Sequence, residues 1–440
     1  MAVFGLSWDS EGRMRAWAML AVLVGCGTGG SGEQATFYDD VVPVLDQHCT
    51  RCHQDDAIAP MTFGTYEDAR QWGPAMVAAV EARTMPPKAR TITDGSCGTF
   101  ADGGWLTDEE VAAFVDWAAS DYPEGTPVAR TLPPKRELTG DVVTVRTPEF
   151  APEPVGSAQA RFDEYRCFPI TLDNTEDVFV TGYDVVPGNP AIVHHLIGNL
   201  VMPDASSWDP RRTNRQVMED LDAQSPDRLG WPCFSEAGPE VRIEADPVAW
   251  APGEPVLTFP EGTGVRVPAG AILVAQVHYN LVDAETAGQS DQTEVHLQVA
   301  DSVERELFPL YLDYLLGTGA SIPPGRSSFK YEDGARIEWI VGDYALDLYG
   351  VLPHMHERGK KLVARRISDT GDKECMVQVA NWDFNWQYTY FYDEPVRLEP
   401  SDTWEIVCIY DTSGDTEPVL PGWGTYNEMC LTTLYVALAQ

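Results

Sequence analysis

Cys49-Thr50-Arg51-Cys52-His53 has the C-x-x-C-H spacing that lets two thiols form thioethers with a haem while the adjacent imidazole offers iron an axial nitrogen. A redox dithiol or part of a zinc site uses the same residue types, so the motif alone leaves those readings open. A sixth, soft ligand is available at Met85 in Thr84-Met85-Pro86-Pro87, with Met61 in Ala59-Pro60-Met61 as its rival. Thioether ligation raises a haem potential and suits electron transfer. His48, next to Cys49, reads as a surface or haem-packing residue.

The chain has eight histidines, and beyond the haem motif they cluster: His194-His195, His278, His296, and His354-Met355-His356. In an extended strand residues i and i+2 share a face, so His354 and His356 can bind one ion. Imidazole suits copper, zinc, iron or nickel, and a thioether tilts the choice toward Cu(I). Adjacent strand positions face opposite ways, so His194 and His195 can meet one ion only across a bulge or irregular backbone. Pro187, Gly188 and Pro190 just upstream favour such irregularity. His278 closes the strand-like run Ala271–Asn280.

Several elements must hold these groups. Apolar periodicity predicts helices over 36–47, 65–83 and 107–119, the last capped by Thr107 ahead of an acidic first turn. The segment 36–122 therefore reads as a small helical haem module that resembles cytochrome c. A Pro-rich linker follows over 123–155, with extended entry strands. Beyond it, β-branched and aromatic runs such as VFVTGYDVV, AILVAQVHYN, TEVHLQVA, ARIEWIVGDYALDLYG and WEIVCIYD alternate with Gly, Pro and Asp turns. The expectation is a mainly β protein in which two tandem antiparallel, jelly-roll-like β-sandwich domains, 156–303 and 304–440, follow the helical module.

The segments IVHHLIGNL, VAQVHYN, PHMHERGKKL and TYNEMC resemble, in order, the four copper-binding signatures of the peptidylglycine α-hydroxylating and dopamine β-monooxygenases. WDFNWQYTYFY and VCIYDTS are similar to the second domain of that copper type II, ascorbate-dependent family. The resemblance implies an electron-storing copper on His194, His195 and His278. It further implies an oxygen-activating copper on His354, His356 and Met429, which would hydroxylate an activated C–H bond of a small organic substrate with O2. It suggests a Cys408–Cys430 disulfide beside Met429 and, more weakly, Cys167–Cys233, leaving Cys97 with Cys375.

Departures from the pattern are informative. The peptide-amidating member has an arginine two positions before its His-x-His, and an asparagine and a tyrosine after its Met-Cys. Here Leu352, Leu431 and Thr433 stand there, so no cationic clamp for a peptide carboxylate is supplied. Trp382 and Trp386 are apolar residues near the site. Ascorbate or another one-electron donor, including an external protein feeding the haem, would supply electrons. A haem–copper electron-transfer protein without oxygenase turnover is the alternative.

At 440 residues, with 30 basic against 68 acidic residues and a formal charge of -38, the chain repels polyanions and is a poor partner for nucleic acid. Residues 1–26 read as an export signal whose Leu23-Val24-Gly25-Cys26 ending resembles a bacterial lipobox, with 27–35 as a flexible tether. That predicts an exported protein on the periplasmic or cell-surface side, an outer-membrane lipoprotein held to the membrane only by its lipid. Six cysteines outside the haem motif and lipobox are an even set for three disulfides in an oxidising compartment.

Overall fold

A computed structural model describes residues 34–440 apart from 56–58, 88–95, 102–105, 133–136, 157–160, 235, 253, 255 and 282–287, together with a short hairpin of Leu6–Trp8 and Met14–Ala16. Cys26 lies outside the described residues.

Three threonines start the helical segment. Thr36, Thr65 and Thr107 each accept a backbone N–H three residues on, opening the π-turn Phe37–Val41, which runs into Val42–His48, and the helices Tyr66–Glu81 and Asp108–Ala119. Thr107 and Glu110 bond reciprocally as a capping box, and each such cap contributes about 1 kcal/mol. The apolar faces meet over Phe37, Leu45, Val80, Phe114 and Trp117. The indole of Trp117 is satisfied by the Pro123 carbonyl at 2.9 Å.

The rest of the chain is layered sheet. In the first half, Asp163–Thr171, Ile272–Asn280, Val193–Val201 and Ala245–Trp250, with the short Trp231–Pro232, form a five-stranded sheet. Its inward residues Phe168, Leu196 and Leu273 pack on Val180, Val265 and Val295 of the facing strands. In the second half, Phe329–Arg336, Thr403–Tyr410, Gly359–Ile367 and Lys373–Val379 form a four-stranded sheet packed on Tyr390–Leu398, Leu346–His354 and Leu431–Leu438.

The facing layers of the two halves are one sheet of nine strands. Arg305–Asp313 joins them: Arg305 to Leu307 pair in parallel with Thr263–Val267, and Phe308 to Asp313 pair antiparallel with Leu431–Leu438. Among the described residues this is the one parallel pairing of named strands, a departure from wholly antiparallel sandwiches.

One expected strand is corrected. ARIEWIV does not continue extended: Phe329–Arg336 ends and Ile337–Val341 forms a helical turn closed by Gly342, whose φ of 75° suits a residue without Cβ. Ile337, Ile340 and Val341 face the core at helical spacing, while Trp339 is 70% exposed.

Two further attachments bind the helical segment to the second half. Cys97 and Cys375 form a disulfide. Residues 99–101 run beside the strand Tyr390–Leu398, with Ala101 N–H donating to Phe391 O and Asp393 N–H to Thr99 O. Phe100 is buried against Tyr390 and Tyr392.

Candidate metal centres

His278 pairs across the sheet with His195, but the next pairing is Tyr279 with Val193, so His194 is the extra residue of a β-bulge. The irregularity that two adjacent ligands require therefore sits at His194 itself. It brings the Nδ1 atoms of the three rings together: His194 to His195 at 3.3 Å, and His278 to His195 at 3.2 Å. One donor atom from each ring lies within 4.8 Å of the others. Burial holds all three imidazoles below their ordinary pKa, and hence neutral and able to donate lone pairs.

Residues around this triad orient it. Tyr165 stacks on His278 with ring centroids 4.0 Å apart. The far nitrogen of His278, Nε2, is buried without a hydrogen-bond partner; Asp163 Oδ1 lies 3.2 Å away, short of a hydrogen-bonding alignment. A ring fixed by stacking, whose outer nitrogen faces a carboxylate, is suited to presenting Nδ1 to a cation.

The second set gathers at the edge of the other sandwich. His354 ends its strand and His356 lies just beyond, with ring centroids 5.0 Å apart, while Met355 between them is fully buried on the opposite side among Leu362 and Trp382. His354 Nδ1 meets Gln387 Oε1 at 2.6 Å, and His356 Nδ1 meets Asn427 O at 3.1 Å. Both bonds leave Nε2 available to a metal. Met429 follows the buried Glu428, whose carboxylate accepts the backbone N–H of His356 at 3.0 Å and of Arg358 at 2.6 Å. Glu428 thus ties the His-x-His turn to the methionine segment. Tyr410 donates to Met429 O at 2.7 Å, and the Cys408–Cys430 disulfide closes the same segment.

His195, His354, His356 and Met429 all line one cavity of about 110 Å³ between the sandwiches. Leu352, Leu431 and Thr433 line it too, and no lysine or arginine does among the described residues. Carboxylates do: Glu236, Asp246 and Glu254. Asp246 Oδ1 is buried with no hydrogen-bond partner, and burial, assisted by the nearby Glu236 charge, pushes this carboxyl up to about 8. Phe384 stacks on His194 at 4.7 Å and stands edge-on to His356 at 5.7 Å. Trp382 and Trp386 are not in this lining. Trp382 sits behind the site and donates its indole N–H to His356 O at 3.0 Å.

A pH dependence follows from Asp246. Its folded pKa of about 8 exceeds the ordinary 3.8, so its stability contribution is complete below 3.8 and is lost as pH rises to about 8. Urea unfolding of the metal-free protein, compared with Asp246→Asn, should show the wild type losing stability relative to the variant across that window. Parallel curves would contradict it.

The C-x-x-C-H residues stand at a separate apolar cavity of about 440 Å³, lined by His48, Cys49, Cys52, His53, Met61 and Met85 among others. Cys49 and Cys52 are the free cysteines of the described chain, and burial pushes the Cys49 thiol up to about 12. His53 Nδ1 meets Met61 O at 3.1 Å and its ring stacks on Phe63 at 4.3 Å, which orients Nε2. His48 pairs with Glu110 at 3.1 Å. Trp386, from the second sandwich, lines this cavity.

His296 stands apart from both clusters, bonded to Thr144 at 2.9 Å. Among the supporting residues, Glu428 lies within TYNEMC and Phe384 and Gln387 within WDFNWQYTYFY, whereas Asp163 falls outside every segment singled out in the sequence.

Comparison with known proteins locates relatives. The family described as "Copper type II ascorbate-dependent monooxygenase, C-terminal domain" matches residues 312–437. A tyramine beta-hydroxylase of Caenorhabditis briggsae is 21% identical over 348 residues, covering 76% of this chain and 54% of that protein. The mouse DBH-like monooxygenase protein 1 is 24% identical, covering 56% and 39%, and human dopamine beta-hydroxylase is 22% identical, covering 57% and 39%. The chain spans about half or less of the length of these relatives.

Proposed function

Since the chain belongs to the copper type II ascorbate-dependent monooxygenase family, we propose that it hydroxylates an activated C–H bond of a small organic substrate with O2. One oxygen atom enters the product and the other leaves as water, with two electrons and two protons consumed. The observation that carries this reading is the shared cavity onto which His195, of the His194–His195–His278 cluster, and His354, His356 and Met429 open. Copper bound to the two sets would supply one-electron storage and O2 activation respectively.

The chain's own residues do the rest. The bulge at His194 presents three Nδ1 donors, whereas Gln387 and Asn427 hold His354 and His356 with Nε2 outward. Met429 adds the soft donor that favours the reduced ion. Apolar Leu352, Leu431 and Trp250 limit water beside the reacting bond. Glu236 and Asp246 suit a cationic substrate: an amine beside Asp246 would offset the cost of ionising it. Two relatives bear the names of amines, tyramine and dopamine. Asp246→Asn should raise KM for an arylalkylamine roughly tenfold or more with little change in kcat, since an unpaired buried charge costs several kcal/mol. An equal loss for the uncharged analogue would remove Asp246 from recognition.

The helical segment, proposed as a cytochrome c-like module over 36–122, would bind haem covalently in the 440 Å³ cavity. Cys49 and Cys52 would supply thioethers and His53 the axial nitrogen. Met85 would be the distal ligand, because the carbonyl of Met61 already holds the His53 ring. The sandwiches over 156–303 and 304–440 would carry one copper each. Export with lipid anchoring at Cys26 in the outer membrane, on the periplasmic or cell-surface side, is in keeping with three disulfides.

The test is haem and copper stoichiometry on one purified sample, followed by turnover of an arylalkylamine with ascorbate. One haem, two coppers and an oxygenated product are expected. Bound copper without product would leave an electron-transfer protein, and absence of tightly bound copper would overturn the reading.

A further inference from the structure

We infer that the segment Phe384–Gln387 is the electron path between the C-x-x-C-H cavity and the copper-ligand cluster. This rests on the proposed haem. Trp386 leaves its own sandwich to line the cavity that holds Cys49, Cys52 and His53. Two residues earlier, Phe384 lies face to face with His194 at 4.7 Å and edge-on to His356 at 5.7 Å. One residue later, Gln387 holds His354 Nδ1 at 2.6 Å. A single four-residue stretch therefore touches the haem cavity and three of the six copper-ligand residues.

The stretch is fixed rather than draped. Trp386 N–H donates to Asp383 O at 3.0 Å, and the Gln387 side-chain amide donates to Phe384 O at 2.9 Å, closing a compact turn. The Cys97–Cys375 disulfide and the pairing of residues 99–101 with Tyr390–Leu398 hold the helical segment against the strand that leaves this turn. The route is covalent from Trp386 through Asn385 to Phe384, and crosses from the Phe384 ring to the His194 imidazole by their stacking at 4.7 Å. Each passage moves one electron, ferrous haem and cupric ion becoming ferric haem and cuprous ion, with no proton required. Two passages supply one turnover, and a one-electron donor such as ascorbate restores the haem.

The experiment uses the full chain loaded with haem and copper. Ferrous haem is generated in the absence of O2, and its oxidation is followed by absorbance together with loss of the cupric EPR signal. Trp386→Leu and Phe384→Leu should slow this transfer about tenfold or more per molecule that carries both haem and copper, the content of each being measured on every variant, and Trp386→Phe should restore most of the rate. Should Trp386→Leu lose haem, Phe384→Leu, which does not line the haem cavity, decides. Unchanged transfer in Phe384→Leu would overturn the path while leaving the haem reading intact. A wild-type protein that binds no haem under maturation conditions would overturn both.

Discussion

Met429→Leu is expected to take bound copper from two ions to one and to abolish hydroxylation within detection, while the His194–His195–His278 centre keeps its EPR signal. Met429 is 1% exposed and fixed by Tyr410 and the neighbouring disulfide, so leucine fills its volume with little strain. The change is chemical: two imidazoles remain and the soft donor is gone. Altering a residue that merely supports a ligand costs roughly 10–100-fold, and deleting a ligand should exceed that. Copper analysis, EPR and product assay on the same preparation check this. Retention of two tightly bound ions with normal turnover would remove Met429 from the ligand set.

Glu428→Ala should be nearly as damaging by another route. The carboxylate is fully buried and accepts the backbone N–H groups of His356 and Arg358. Alanine would strand those donors at about 1–3 kcal/mol each and release the turn bearing His356 from the segment bearing Met429. Urea unfolding should report the lost stability. Weakened copper binding at this centre alone, by roughly 10–100-fold, should report the lost positioning. Glu428→Gln keeps one acceptor oxygen and should recover part of both. Equal weakening at the His194 centre would instead indicate general unfolding.

Much of this was legible in the residues, for identifiable reasons. Ligands are sparse, chemically distinct types, and the i, i+2 spacing of His354 and His356 survives into the fold with Met355 turned into the core. Thr107 announces its helix because a cap acts locally. The helix Asn214–Asp222 carries an equally local signal, the capping box of Thr213 and Gln216, within a region whose wider character is β-rich. What could not be read is set by distant partners. The adjacent histidines call for a bulge or irregular backbone, but which residue is the extra one is fixed only when Val193–Val201 pairs with Ile272–Asn280. Asp246 and Trp386 owe their surroundings to segments far away in sequence, and Trp386 faces the C-x-x-C-H cavity while its chain neighbours Phe384 and Gln387 touch the histidines of the metal centres.

The strand Arg305–Asp313 has a thermodynamic meaning beyond its geometry. Its first residues belong to one sandwich and its last to the other, so neither half can melt without tearing the other's sheet. Ions that bind only the native chain raise its stability through mass action. In a single cooperative unit, that gain is not confined to the half that holds the ion. Loading the histidine triad alone should therefore raise the melting temperature of the whole sheet, the empty methionine-containing centre included, and calorimetry should record one shifted transition in place of two.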